Sequence, residues 1–129
     1  MHSDSLSDVS KENLRKALDL EINNTNFYKA VSEISKDVRV LSMFKGLSKV
    51  EREHASAICK LLKIQKPDSN VGSDKAVDSD QENIKEANNR ERSAVRFYGE
   101  AMKQAPEKEM KSFFNALIQI ESDHIVLTD

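Results

Sequence analysis

The sequence predicts an all-α protein: an antiparallel four-helix bundle made of two helical hairpins, with a long crossover between helices 2 and 3. Three observations predict it. Glycine (3) and proline (2) are scarce and tryptophan is absent, which disfavours a turn-rich β fold. Four stretches carry apolar residues at the 3.6-residue period of a helix. The second half of the chain repeats the first at a shift of 70 residues.

Residues 1–8 are expected to form a flexible tail, and residues 9–129 a single bundle. The first helix is predicted over about 9–35, capped by Ser7 or Ser10, with acidic Asp8 or Glu12 near its start. Leu20, Asn24, Phe27, Val31 and Ile34 give it a mostly apolar stripe. The second helix is predicted over about 38–63, with the stripe Phe44, Leu47, Glu51, His54, Ile58 and Leu61. The third spans about 81–104 and the fourth about 107–127, with Pro106 suited to its first turn. The links around Lys36-Asp37 and Ala105-Pro106 are short, which implies antiparallel neighbours. Residues 64–80 are polar and include Pro67 and Gly72. They read as a crossover long enough to run along the bundle and set helices 2 and 3 parallel.

A chain of 129 residues suits one domain with a real core. Hydrophobic residues at 38% and charged residues at 33% describe a globular rather than a disordered chain. Lys plus Arg (20) nearly balances Asp plus Glu (22), so there is no footprint for nucleic acid or an anionic membrane. Cys59 is the single cysteine. It can form no internal disulfide or four-cysteine metal module, and it reads as small apolar filler. No apolar run approaches the roughly 20 residues of a membrane span. The opening MHSDSLSDVS has neither a basic nor an apolar signal region, so the expected location is the cytoplasm.

The 70-residue repeat carries more than hydrophobicity. Glu21 meets Glu91, Phe27-Tyr28 meets Phe97-Tyr98, and Phe44 meets Phe114. Leu47 meets Leu117, Glu51 meets Glu121, and His54 meets His124. Apart from His2, the chain has only these two histidines. Each has one Glu three residues before it and another 33 residues before it.

Three residues of helix turn about 300°, so Glu51 and His54 share a face, as do Glu121 and His124. Those faces are otherwise apolar. Four antiparallel helices would then bring four carboxylates and two imidazoles together at mid-bundle. Unpaired buried carboxylates cost several kcal/mol each, and no Lys or Arg recurs at matching stripe positions. Two divalent metal ions would supply +4 against −4. Oxygen-rich ligation with one imidazole per metal fits iron or manganese, including mixed occupancy, better than structural zinc. Glu53 and Glu33 lie near the motifs but read as surface residues.

The pattern E…ExxH…E…ExxH resembles the ferritin-like di-iron carboxylate proteins. The near-equal halves and the Phe-Tyr pairs look most like their rubrerythrin branch, over about residues 9–129. The resemblance implies two iron ions held by Glu21, Glu51, His54, Glu91, Glu121 and His124. It implies Tyr28, with Tyr98 as its counterpart, as a hydrogen-bonding group behind the ligands. The chain departs from the family pattern in three ways. It lacks the rubredoxin-like four-cysteine module, so electrons would come from a separate donor such as a rubredoxin-like protein. The additional family Glu, one turn beyond the third-helix ligand, is replaced by Ala94, whose repeat partner is Asn24. The sequence runs only five residues past His124, an end that a partner subunit could cover in a homodimer or higher homo-oligomer.

The favoured reading is an oxidoreductase that reduces hydrogen peroxide or dioxygen at the di-iron site, in defence against oxidants. Two alternatives share the site. One is a ferroxidase of an iron-storage shell, and the other is a non-catalytic bundle stabilised by metal.

Overall fold

The computed structural model describes residues 6–67 and 75–129. They form four helices: α1 (Asp8–Ile34), α2 (Val38–Leu62), α3 (Asp80–Gln104) and α4 (Lys108–Thr128). There is no strand among the described residues. Helix α1 packs on α2 and α3 on α4, and the two hairpins meet through α1 and α3. Side-chain bonds fix the directions. Asn13 pairs with Gln104, Tyr28 with Glu91, and Ser35 with Asp80, so α1 and α3 run antiparallel. With α2 antiparallel to α1, α2 and α3 run parallel. The parallel α2 and α3 are as the sequence predicts; residues 68–74 of the crossover between them lie outside the described ones.

Local chemistry sets the helix ends. The Ser7 side chain accepts from the Ser10 N–H and caps α1, and Asp37 caps α2 through the Arg39 and Val40 N–H groups. Ser79 caps α3 in the same way through Glu82. Lys63 ends α2 in the left-handed conformation, with φ 57°. Pro106 does not occupy the first turn of α4. It precedes the cap residue Glu107, where its fixed φ still suits an extended approach to the helix.

The stripe on α1 is offset from the one the sequence suggests. Leu20 is only half-buried, and Ile34 is 43% exposed. The buried face is Leu14, Ala17, Glu21, Asn24, Tyr28 and Val31. Leu20 and Ile34 sit at the edge of that face, where hydrophobicity alone misplaces its centre. Two apolar clusters flank the middle of the bundle. One contains Phe27, Tyr28, Val31, Phe44, Leu47 and Ala87. The other is larger and includes Leu14, Ile58, Tyr98, Met110, Phe114 and Leu117. Cys59 lies buried in the larger cluster, as filler.

The expected tail at residues 1–8 is too long. Residues 1–5 lie outside the described ones, but Leu6 is only 8% exposed and joins the larger core cluster. Ser7 and Ser10 are tied across the bundle to Glu107. Its carboxylate accepts from the Ser7 N–H at 2.6 Å and from the Ser10 hydroxyl at 2.5 Å. Its negative charge also meets the positive end of α1. Burial pushes the Glu107 carboxyl up, but these donors outweigh burial and hold it below its ordinary value.

Two bonds to a buried carboxylate make this tie worth several kcal/mol. Glu107→Ala is expected to cost about 2–4 kcal/mol in chemical denaturation. A loss below about 0.5 kcal/mol would remove the tie from the account. Because the folded-state carboxyl is depressed, its contribution is present above the ordinary value of 4.5 and is lost as pH falls below it. The stability gap between wild type and Glu107→Gln should therefore narrow in acid.

Candidate metal centre

Each helix delivers its share of the centre from one buried face. Glu21 comes from α1, Glu51 and His54 from α2, Glu91 from α3, and Glu121 and His124 from α4. The four carboxylates are fully buried and both imidazoles are nearly so. On α2 and α4 the three-residue spacing puts Glu and His one turn apart on the inner face. All six sequence-predicted residues meet between the two apolar clusters.

They form two quartets. Glu21, Glu51, His54 and Glu121 offer one atom each, all within 4.8 Å of one another. So do Glu51, Glu91, Glu121 and His124. Glu51 and Glu121 belong to both quartets, so the ExxH carboxylates lie in the middle and the α1 and α3 carboxylates at the ends. His54 Nδ1 stands 3.5 Å from Glu21 and 3.6 Å from Glu121. His124 Nδ1 stands 3.3 Å from Glu91, 3.4 Å from Glu51 and 3.6 Å from Glu121.

These gaps are mostly too long for good hydrogen bonds. Donor atoms placed about 2.1 Å from a shared ion stand roughly 3–4 Å from each other, so the spacing suits ligands around a cation. Among the described residues, seven buried side-chain polar atoms have no hydrogen-bond partner. Six of them belong to this cluster: Glu21 Oε1, both oxygens of Glu51, His54 Nδ1 and both oxygens of Glu121. Orphaned buried acceptors are rare in folded proteins, and their concentration here fits a bound metal.

The two tyrosines cross between the hairpins. The Tyr28 hydroxyl donates to Glu91 Oε1 at 2.5 Å, and the Tyr98 hydroxyl donates to Glu21 Oε2. Each tyrosine of one half thus grips the end carboxylate of the other half. Burial first, then the neighbouring carboxylates, push both phenols well above their ordinary value, so they stay protonated donors. Aromatic contacts fix the rings. Tyr28 lies against Phe44 with ring centres 5.8 Å apart, and Tyr98 stacks on Phe114 at 6.1 Å.

Sequence reasoning places Glu53 and Glu33 on the surface, and both are exposed. Ala94 is fully buried, and no carboxylate replaces the missing one at that position. Sequence reasoning misses one contact beside the centre. Arg90 reaches from α3 to α1 and donates to Asn24 Oδ1 at 3.0 Å. Periodicity marks Asn24 as buried, but it carries no sign that Arg90 folds over it.

Without metal, burial favours the protonated form of Glu51 and Glu121. Burial, then the facing Glu21 carboxylate, push Glu51 well above its ordinary value of 4.5; burial and the Glu51 carboxylate do the same to Glu121. Burial acts to lower His124, but its bond to Glu91 and the surrounding carboxylates win and raise it. All three groups hold protons in the folded state that the unfolded chain releases. Stability of the metal-free protein should therefore fall as pH rises above 4.5 for the two carboxyls and above 6.5 for His124, by about 1.4 kcal/mol per unit for each such proton. Thermal melts of chelator-treated protein should show a lower Tm at pH 8 than at pH 5.5. Saturating ferrous iron should displace the protons and reverse that order. A flat metal-free profile would mean the carboxylates are not packed against one another.

A family profile described as Rubrerythrin matches residues 12–127. No curated protein matches the sequence. The profile spans all four helices and every residue of the cluster. The fold, the doubled Glu/His pattern and this match agree, and the chain belongs to the rubrerythrin family.

Proposed function

We propose that this protein is a non-haem di-iron oxidoreductase that reduces hydrogen peroxide or dioxygen, protecting its cell against oxidants. One observation carries the reading: two quartets of buried Glu and His share Glu51 and Glu121. In this reading Glu21 and His54 would hold one iron and Glu91 and His124 the other, with Glu51 and Glu121 available to both. Four carboxylates then balance two divalent ions. Bound iron supplies two electrons to the substrate per turnover, one from each ion.

The protein's own residues do the rest. Tyr28 and Tyr98 each occupy one oxygen of Glu91 and Glu21, which leaves the other oxygen turned toward the cluster and limits carboxylate rotation. Those phenols hold their protons on oxygen beside the carboxylates. The clusters around Phe44 and Phe114 keep bulk water from both sides of the site. A rubredoxin-like protein is the kind of electron donor this reading expects. A homodimer or higher homo-oligomer is the expected assembly.

Anaerobic apoprotein titrated with ferrous iron should bind two irons per chain. Mixing with peroxide or air should then produce near-ultraviolet absorbance of an oxidised iron pair. Saturation far from two irons would refute the site. Bound iron that ignores both oxidants would leave a metal-stabilised bundle without catalysis. Light scattering that finds a large hollow shell would favour ferroxidase and storage instead. Replacing Glu51 and Glu121 together by Ala should abolish iron binding. Glu53→Ala, on the exposed side of the same helix turn, should leave it intact.

A further inference from the structure

The seventh orphaned atom is not a carboxylate oxygen or an imidazole nitrogen. It is Asn24 Nδ2, a buried donor without a partner. Asn24 is only 4% exposed and lies on the buried stripe of α1, three residues after Glu21 and four before Tyr28. Its orientation is forced. Arg90 can only donate, so the amide atom 3.0 Å from its guanidinium must be the oxygen. Arg90 is itself fixed: its Nε bonds Glu86 at 2.7 Å, and its guanidinium carbon lies 4.4 Å from the centre of the Phe27 ring. With Oδ1 held from the Arg90 side, Nδ2 is turned away from solvent and has no protein acceptor within reach.

Both tyrosine hydroxyls near the centre are already spent on Glu91 and Glu21. Asn24 Nδ2 is therefore the one unspent donor among those orphaned atoms once the proposed metal ligands are set aside. We propose that the Arg90-clamped amide of Asn24 donates a hydrogen bond to a small oxygen- or nitrogen-bearing anion bound at the metal pair. The inference rests on the reading of the centre as a metal site. It makes Asn24 a positioning residue that favours anionic ligands on the Glu21–His54 side. The corresponding position of the other half, Ala94, is fully buried and can donate nothing, so the aid is one-sided.

Azide binding to the oxidised iron-loaded protein tests this, read by its visible charge-transfer band. Asn24→Leu keeps the volume and removes the donor. Asn24→Asp keeps the acceptor for Arg90 and also removes the donor. Each should weaken azide binding by about tenfold or more, the scale of one good hydrogen bond, with two irons still bound. In the metal-free protein Asn24→Leu loses the Arg90 bond whichever role Nδ2 has, so azide affinity at full iron loading is the reading that decides. An amide that merely anchors Arg90 would instead leave azide affinity unchanged in both variants. Full iron loading with azide affinity within twofold of wild type in either variant overturns the role of Asn24 alone. Failure of the wild type to bind iron overturns the reading of the centre, and this inference with it.

Discussion

Four carboxylates buried at the middle of one bundle are the constraint on which the rest of the structure depends. Ionised and unpaired, they would repel one another in a medium far less polarisable than water, at a cost that one small core could not absorb. Only protons or cations resolve this. Protonation leaves orphaned acceptors and loosely spaced imidazoles, which is what the side-chain geometry shows. Divalent cations would satisfy the charge, the spare lone pairs and the spacing together. The apolar clusters on either side then serve two ends: they supply the packing energy that holds the helices, and they keep water from competing for the same oxygens.

The tyrosines explain how the two hairpins are locked in register. Neither hairpin alone completes the centre. Tyr28 reaches Glu91 and Tyr98 reaches Glu21, so the same contact is made twice across the α1–α3 seam. A slip of one turn along that seam would move both hydroxyls about 5.4 Å from their carboxylates, and would separate the end carboxylates from the shared ones. The register that makes the site is thus the register that satisfies the tyrosines. The Glu107 tie to Ser7 and Ser10 acts at one end of the bundle, and the Ser35–Asp80 bond helps set the same register at the other.

The six clustered residues were legible in the sequence because Glu and His recur at helical spacing on otherwise apolar faces, twice, at a fixed shift. Solvent-facing charges carry no such constraint, which is why Glu53 and Glu33 could be set aside. The helices were legible for the same periodic reason, to within a residue or two at their ends. What escaped depends on contacts between distant segments. Nothing in MHSDSLSD says that Leu6 will be buried or that Ser7 will meet a carboxylate 100 positions later. Which tyrosine serves which glutamate follows only once α1 is known to run antiparallel to α3. Ile34 misled for a simpler reason: a helix stripe has edges, and an apolar residue at the edge looks the same in sequence as one at the centre.

A repeated half-structure predicts equal environments for the two Glu/His quartets, and most of this centre obeys that rule. The exception is the pair Asn24 and Ala94, together with Arg90 bridging from α3. On one side stands an oriented amide and on the other a methyl group. The family's usual carboxylate would stand at the Ala94 position. A carboxylate there could accept a proton or bind a metal, whereas the alanine can do neither. The amide in the opposite half is no substitute in kind, since it donates where a carboxylate accepts. The polarity of the pocket has therefore been inverted as well as moved. That difference, rather than the six clustered residues, is where this chain departs from a twofold version of itself.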